Sequence, residues 1–126
     1  MSQYGFPKKE HLLSRKAIDT LFSGRHKSLT VYPLRAIFQE TRDEEVSVRV
    51  MVNVSKRHFK HAVDRNRAKR QMREAYRLNK SLLWNALDRQ GRQLNVAFMW
   101  LSDEPQSTRR VTSSMCRLLR EIAAAR

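Results

Sequence analysis

Cysteine, glycine and proline are all scarce in this chain of 126 residues, which has one Cys, three Gly and three Pro. The single thiol, Cys116, excludes an internal disulfide, so stability has to come from an apolar core, and the usage is compatible with a reducing compartment. So little Gly and Pro, with no repeat or low-complexity tract, excludes a disordered basic tail. Long apolar runs are missing as well. Nothing approaches the ~20 residues of a membrane-spanning helix, and the opening Met-Ser-Gln-Tyr-Gly-Phe-Pro has no apolar signal-peptide core. These absences predict a cytoplasmic protein with one domain over residues 1–126, monomeric by itself. Carboxylates are also few, 12 against 26 Lys plus Arg, for a formal net charge of +14. Such a surface repels its own copies and attracts nucleic acid or anionic membrane, and the lack of membrane segments favours nucleic acid.

What the chain does have is concentrated between residues 56 and 80, where ten cations meet only Asp64 and Glu74. On a wheel turning ~100° per residue, Val63, Ala68, Met72, Ala75, Tyr76 and Leu78 share one arc, and Asn66, Lys69, Arg70, Arg73 and Arg77 share another. The pattern predicts a helix docked on a core by one face, with guanidinium and ammonium groups on the other. Its main use is the neutralisation of phosphates, since the charge exceeds what solubility needs.

Around this segment the periodicity alternates between helix and strand. Ser14 is an N-cap for a helix over 14–23 that ends at Gly24, with Leu13 and Ile18 placed to form a hydrophobic staple. Residues 29–38 favour a strand in which Pro33 implies an edge or a bulge, and Tyr32 and Phe38 then share parity with Leu34 and Ala36. Residues 39–45 form a polar turn. Val46, Val48, Val50, Val52 and Val54 face one side of the next strand, with Ser47, Arg49, Met51 and Asn53 on the other. Residues 81–88 extend the basic helix until Gly91 breaks it. Leu94, Val96, Phe98 and Trp100 alternate in a further strand. A last helix opens at Pro105 and Ser107 and carries Val111, Met115, Leu118, Leu119 and Ile122 as one stripe. The order αββαβα, with room for one more short strand, predicts an α+β sandwich.

No catalytic set emerges. His58 and His61 stand three apart, but Lys56, Arg57, Lys60 and Arg65 oppose a dication between them, so no metal site is predicted in the protein. Asp43, Glu44 and Glu45 read as a solvated turn and not as paired acid and base. Trp84 and Trp100 lie in apolar stripes and belong to the core. Ile18 and Phe22, at i and i+4, either enter the core or line a groove, and an apolar groove beside a basic sheet suits unpaired nucleotides.

The run Arg65-Asn66-Arg67-Ala68-Lys69-Arg70, continuing Arg73-Glu74-Ala75-Tyr76-Arg77, closely resembles the Arg-Asn-Arg signature of the protein subunit of bacterial ribonuclease P. Ser55-Lys56-Arg57 upstream, Phe6-Pro7, Leu12-Leu13-Ser14 and Phe22 accompany it at similar spacing, so the resemblance covers roughly residues 6 to 122. It implies an αβββαβα sandwich with a left-handed βαβ crossover. It also implies binding of a catalytic RNA and of precursor tRNA, whose 5′ leader the assembled enzyme removes, with Mg²⁺ held mainly by the RNA. By that resemblance Lys56, Arg57, Arg65, Asn66, Arg67, Lys69, Arg70, Arg73 and Arg77 meet RNA. Ile18, Phe22, Tyr32 and Leu34 line a leader cleft between the first helix and the sheet. Ile18 stands where many members carry Phe, and Phe59-Lys60-His61 stands where some carry Gly. On an ideal helix Arg65 and Arg67 flank the central stripe on opposite sides, which suits RNA strands that curve around it. The competing readings are a ribosomal RNA-binding protein, a DNA-binding protein whose basic helix enters the major groove, and a self-sufficient nuclease. No helix-turn-helix spacing or heptad supports the second, and no acid, base and metal set supports the third.

Overall fold

The computed structural model describes residues 5–42 and 46–125. The acidic turn of Asp43, Glu44 and Glu45 lies outside the described residues. The elements in chain order are α1 (Arg15–Ser23), β1 (Lys27–Val31), β2 (Leu34–Glu40), β3 (Val48–Asn53), α2 (Ala62–Asn79), α3 (Ser81–Gln90), β4 (Leu94–Trp100) and α4 (Thr108–Ala124), with a short 3₁₀ turn at Lys8–Glu10. The four strands form one sheet in the order β1-β2-β4-β3. The β1–β2 and β2–β4 pairs are antiparallel, whereas β3 and β4 run parallel and are joined by the α2–α3 crossover.

Local signals explain most boundaries. Ser14 Oγ accepts from the Ala17 N–H, and Ser107 Oγ accepts from the Arg110 N–H, each satisfying an orphan donor at a helix start. Gly91 ends α3 at φ 64°, a left-handed geometry that costs glycine little, while the Arg92 N–H reaches back to the Leu87 carbonyl.

One face of the sheet buries Leu34, Ala36 and Phe38 of β2, Val48 and Val50 of β3, and Leu94, Val96, Phe98 and Trp100 of β4. Against them pack Met72 and Tyr76 of α2, Leu83 and Leu87 of α3, and Met115, Leu118, Leu119 and Ile122 of α4. The second face carries a smaller cluster of Leu12, Leu21, Ile37 and Ala97, over which α1 lies with Ala17 and Ile18.

Two readings of the sequence change. Residues 29–38 are not one strand: Tyr32 and the cis-bonded Pro33 form a two-residue turn, and Val31 pairs with Leu34 across the hairpin. The turn also breaks the parity expected between Tyr32 and Leu34. The arc on α2 is narrower than the wheel implied, because Ala68, Met72, Ala75 and Tyr76 are buried but Val63 is 78% and Leu78 48% exposed. Both lie at the margins of the stripe and stand largely in solvent.

Candidate nucleic-acid interface

The basic helix is held rigidly by its apolar face, and its cations divide by surroundings. Asn66, Arg67, Arg70 and Arg73 are exposed, as are Lys56 and Arg57 in the loop before the helix, and Lys69 is half-buried. Among the described residues none of these cations has an ion-pair partner. Arg65 is different: its guanidinium donates to the Phe59 and Lys60 carbonyls at 2.9 Å each, so it braces the loop that leads into α2. Arg77 pairs with Glu74, and that hydrogen bond holds the Glu74 carboxyl below the usual carboxylate range. The two arginines therefore serve the helix itself first.

The flanks of α2 face different neighbours. Gln71 donates to the Gln106 carbonyl of the loop before α4, placing Arg67, one turn earlier, on the α4 side. Arg73 lies on the other flank, in a groove with Phe6, His11, Leu12, Leu13 and residues 50–52 of β3.

The residues predicted for the leader cleft separate. Ile18 packs on the small cluster, as do Met51 and Met99, and Phe22, 38% exposed, follows one turn later on the same side of α1. Leu34 is fully buried in the main core, so it offers no surface to a ligand. Tyr32, 50% exposed, stands at the hairpin turn with the Arg110 guanidinium 5.4 Å from its ring centre, and the Ser114 hydroxyl of α4 donates to its carbonyl. Tyr32 is held against Arg110 and Ser114 of α4, on the opposite side of the sheet from α1, so it does not join Ile18 and Phe22. The open part of the sheet face instead offers Arg35, Met51 and Met99, which the sequence reading did not assign. Their signal was available in the strand alternation, since Met51 shares parity with Arg49 and Asn53.

The sequence reading also missed the segment before α1. His11 bridges to Val50 and stacks on Phe6 at 3.8 Å, and the Leu12 N–H donates to the Val50 carbonyl. Lys80, the last cation of the basic run, is buried. It reaches back to this segment, pairing with the buried Glu10 carboxylate at 2.7 Å and donating to the Gly5 carbonyl. Trp84 lies beside it and donates its indole N–H to the Tyr76 hydroxyl, whose pKa burial pushes far upward.

His58 and His61 do not form a pair of ligands: His58 Nδ1 is 2.8 Å from Asp103 Oδ1, and His61 is the exposed residue at the start of α2. Among the described residues no three His, Cys, Asp or Glu side chains converge on a point, and no helix is long and apolar enough to cross a membrane.

These features define an α+β domain that presents, on a helix docked to its core, a row of cations without ion-pair partners among the described residues, beside a partly open sheet face. Residues 6–122 match the family model described as Ribonuclease P. A ribonuclease P protein component of Porphyromonas gingivalis is 42% identical over 121 residues, covering 95% of this chain and 88% of that one. Another, from Chlorobaculum tepidum, is 44% identical over 87 residues, covering 64% and 54%. The RNase P protein from Thermotoga maritima has the same fold, with a TM-score of 0.70 at 20% identity over 89% of this chain and 96% of that one. The Staphylococcus aureus RNase P protein gives 0.67 at 17% over 90% and 94%. The chain belongs to the ribonuclease P protein family.

Proposed function

We propose that this chain is the RNA-binding subunit of a ribonuclease P, holding the catalytic RNA and the 5′ leader of precursor tRNA while the leader is removed. One observation carries the reading: the exposed row of Asn66, Arg67, Arg70 and Arg73 on a helix pinned to the core, whose cations have no ion-pair partner among the described residues. Cations fixed on a rigid element and left unpaired bind phosphates without first breaking an internal contact. Lys56, Arg57 and Lys69 extend the row, and Arg65 and Arg77 contribute charge from its edges. The leader is assigned to the open sheet face, where Phe22, Ile18, Met51 and Met99 offer apolar and aromatic surface and Arg35 offers charge.

Phosphodiester hydrolysis commonly uses divalent ions that activate water and stabilise the leaving oxygen. Among the described residues no group of donors fits such an ion, so the reading gives Mg²⁺ to the RNA and leaves the protein to bind substrate and screen charge. A +14 protein between two RNA strands lowers their repulsion. The test is reconstitution with the cognate ribonuclease P RNA. The protein alone should leave precursor tRNA intact in Mg²⁺, the RNA alone should cut only at high Mg²⁺ or monovalent salt, and the two together should cut at lower ionic strength. Robust cleavage by the protein without RNA, abolished by a point substitution in this chain, would sink the assignment.

A further inference from the structure

Helix α1 divides the second face of the sheet. With Leu21 pointing to the sheet and ~100° per residue, Ile18 and Phe22 fall on one side of the helix and Ala17, Thr20 and Lys16 on the other. The first side is the open face already assigned to the leader. On the other side, surface hollows join end to end around the strand ends at Glu40 and Leu94. The groove at Arg73 shares His11, Leu12 and Leu13 with a hollow of about 440 Å³ that adds Lys8, Lys9 and Arg49. That hollow shares Ser14, Ala17, Thr41 and Asn95 with the next, which adds Lys16 and Thr20. Gln39 and Glu40 then lead into a last hollow of about 300 Å³, bounded by Arg25, His26, Lys27, Phe38 and Arg92.

Every stretch of this trough brings cations. Among the described lining residues the only carboxylate, Glu40, is held by Arg92 Nε at 2.8 Å. Along the trough the exposed Leu13 and the half-buried Ala17 supply apolar surface above the buried Leu12 and Phe38. The last corner is built and not loose: Gln39 donates to the Arg25 carbonyl at 2.7 Å, His26 Nδ1 lies 3.1 Å from the Gly24 carbonyl, and Arg92 is also held by Gln90. A narrow channel with basic rims and an apolar floor suits a single strand, gripped by its phosphates with its bases turned inward. Crossing the sheet from β3 to β1 takes three strand spacings, about 14 Å, enough for a few nucleotides. The trough also meets the open face, because Met51 lines the groove at Arg73 as well as the cluster under α1.

We infer that this trough is a second RNA track, which takes the 5′-distal nucleotides of a long leader after the proximal ones have crossed the open sheet face. The inference rests on the leader reading above. Its test uses the protein reconstituted with its cognate RNA and three ligands: tRNA without a leader, with a short leader, and with a long one. For the unaltered protein, affinity should rise in two steps. A Lys16→Ala/Arg25→Ala/Lys27→Ala variant, altered at exposed residues without ion-pair partners among the described residues, should keep the first step and lose the second. For the long leader the slope of log K against log salt should fall by about 2. Thr20→Glu, which puts a negative charge at the rim, should give the same selective loss. A second step that persists in both variants, or is absent from the unaltered protein, overturns the inference. So does an equal loss for all three ligands, which would give the trough to the catalytic RNA. A missing first step in the unaltered protein would instead strike the leader reading itself.

Discussion

Arg70 and Lys80 belong to one run of cations, yet the fold uses them in opposite ways. Arg70 is exposed with no ion-pair partner among the described residues, on a helix whose other face is locked into the core. Lys80 is buried, paired with Glu10 at 2.7 Å and bonded to the Gly5 carbonyl, so it ties the segment before α1 to the α2–α3 junction. The difference teaches that charge density in the sequence counts cations without sorting them. A cation whose counter-charge comes from its own chain stabilises the fold, and one without it is left for an external polyanion.

The sharpest way to break the comparison is to exchange the consequences. Lys80→Ala leaves the Glu10 carboxylate buried without its partner, and should destabilise the fold by about 3 to 5 kcal/mol, seen as a large fall in melting temperature. A Glu10→Leu/Lys80→Met pair should recover most of that loss, because no uncompensated charge remains. If the single substitution leaves melting unchanged, Lys80 belongs with the surface cations.

Arg70→Ala/Arg73→Ala should do the reverse. Melting and circular dichroism should hold, since exposed charges contribute little to folding. Binding to ribonuclease P RNA should weaken, with the log K against log salt slope less steep by about 1.4 to 1.8 for two lost phosphate contacts. An unchanged slope would show that this row faces only solvent.

Phe22 and Leu34 extend the contrast to apolar residues. Phe22→Ala should lower affinity for leader-bearing tRNA relative to mature tRNA by about 1 to 3 kcal/mol, with little change in melting. Leu34→Ala should cost about 2 to 5 kcal/mol of stability and leave the leader preference intact. Equal losses for both ligands on Phe22→Ala would remove the leader from this face.

The smallest effect is expected at Glu74→Gln, which releases Arg77 from its exposed pair and should raise RNA affinity slightly. The Glu74 carboxyl is held low by Arg77, so the pair is complete above the ordinary carboxylate range and is lost as pH falls through the lowered value. The variant should therefore lose whatever small acid-side change in melting this pair causes.

Much of this was legible in the sequence, and the reasons are local. The valine alternation fixed one face of β3, the apolar stripe fixed α4, Ser14 and Ser107 marked helix starts, and the Arg-Asn-Arg run marked the basic helix and its family. Each is a short-range pattern whose period reports the backbone directly. What escaped depends on residues distant in sequence. The Tyr32–Pro33 turn made two strands from a run that reads as one, and thereby sent Leu34 into the core and Tyr32 to the α4 corner. Lys80 is structural because Glu10, seventy positions away, meets it in the interior. The hollows join only because the segment before α1, α1 itself, the strand ends and the loop after α3 meet at one end of the sheet. Periodicity determined which face of each element is apolar, but the meeting of distant segments decided which cations have no ion-pair partner among the described residues and where the hollows beside α1 join, because those contacts are set by the tertiary fold and not by local period.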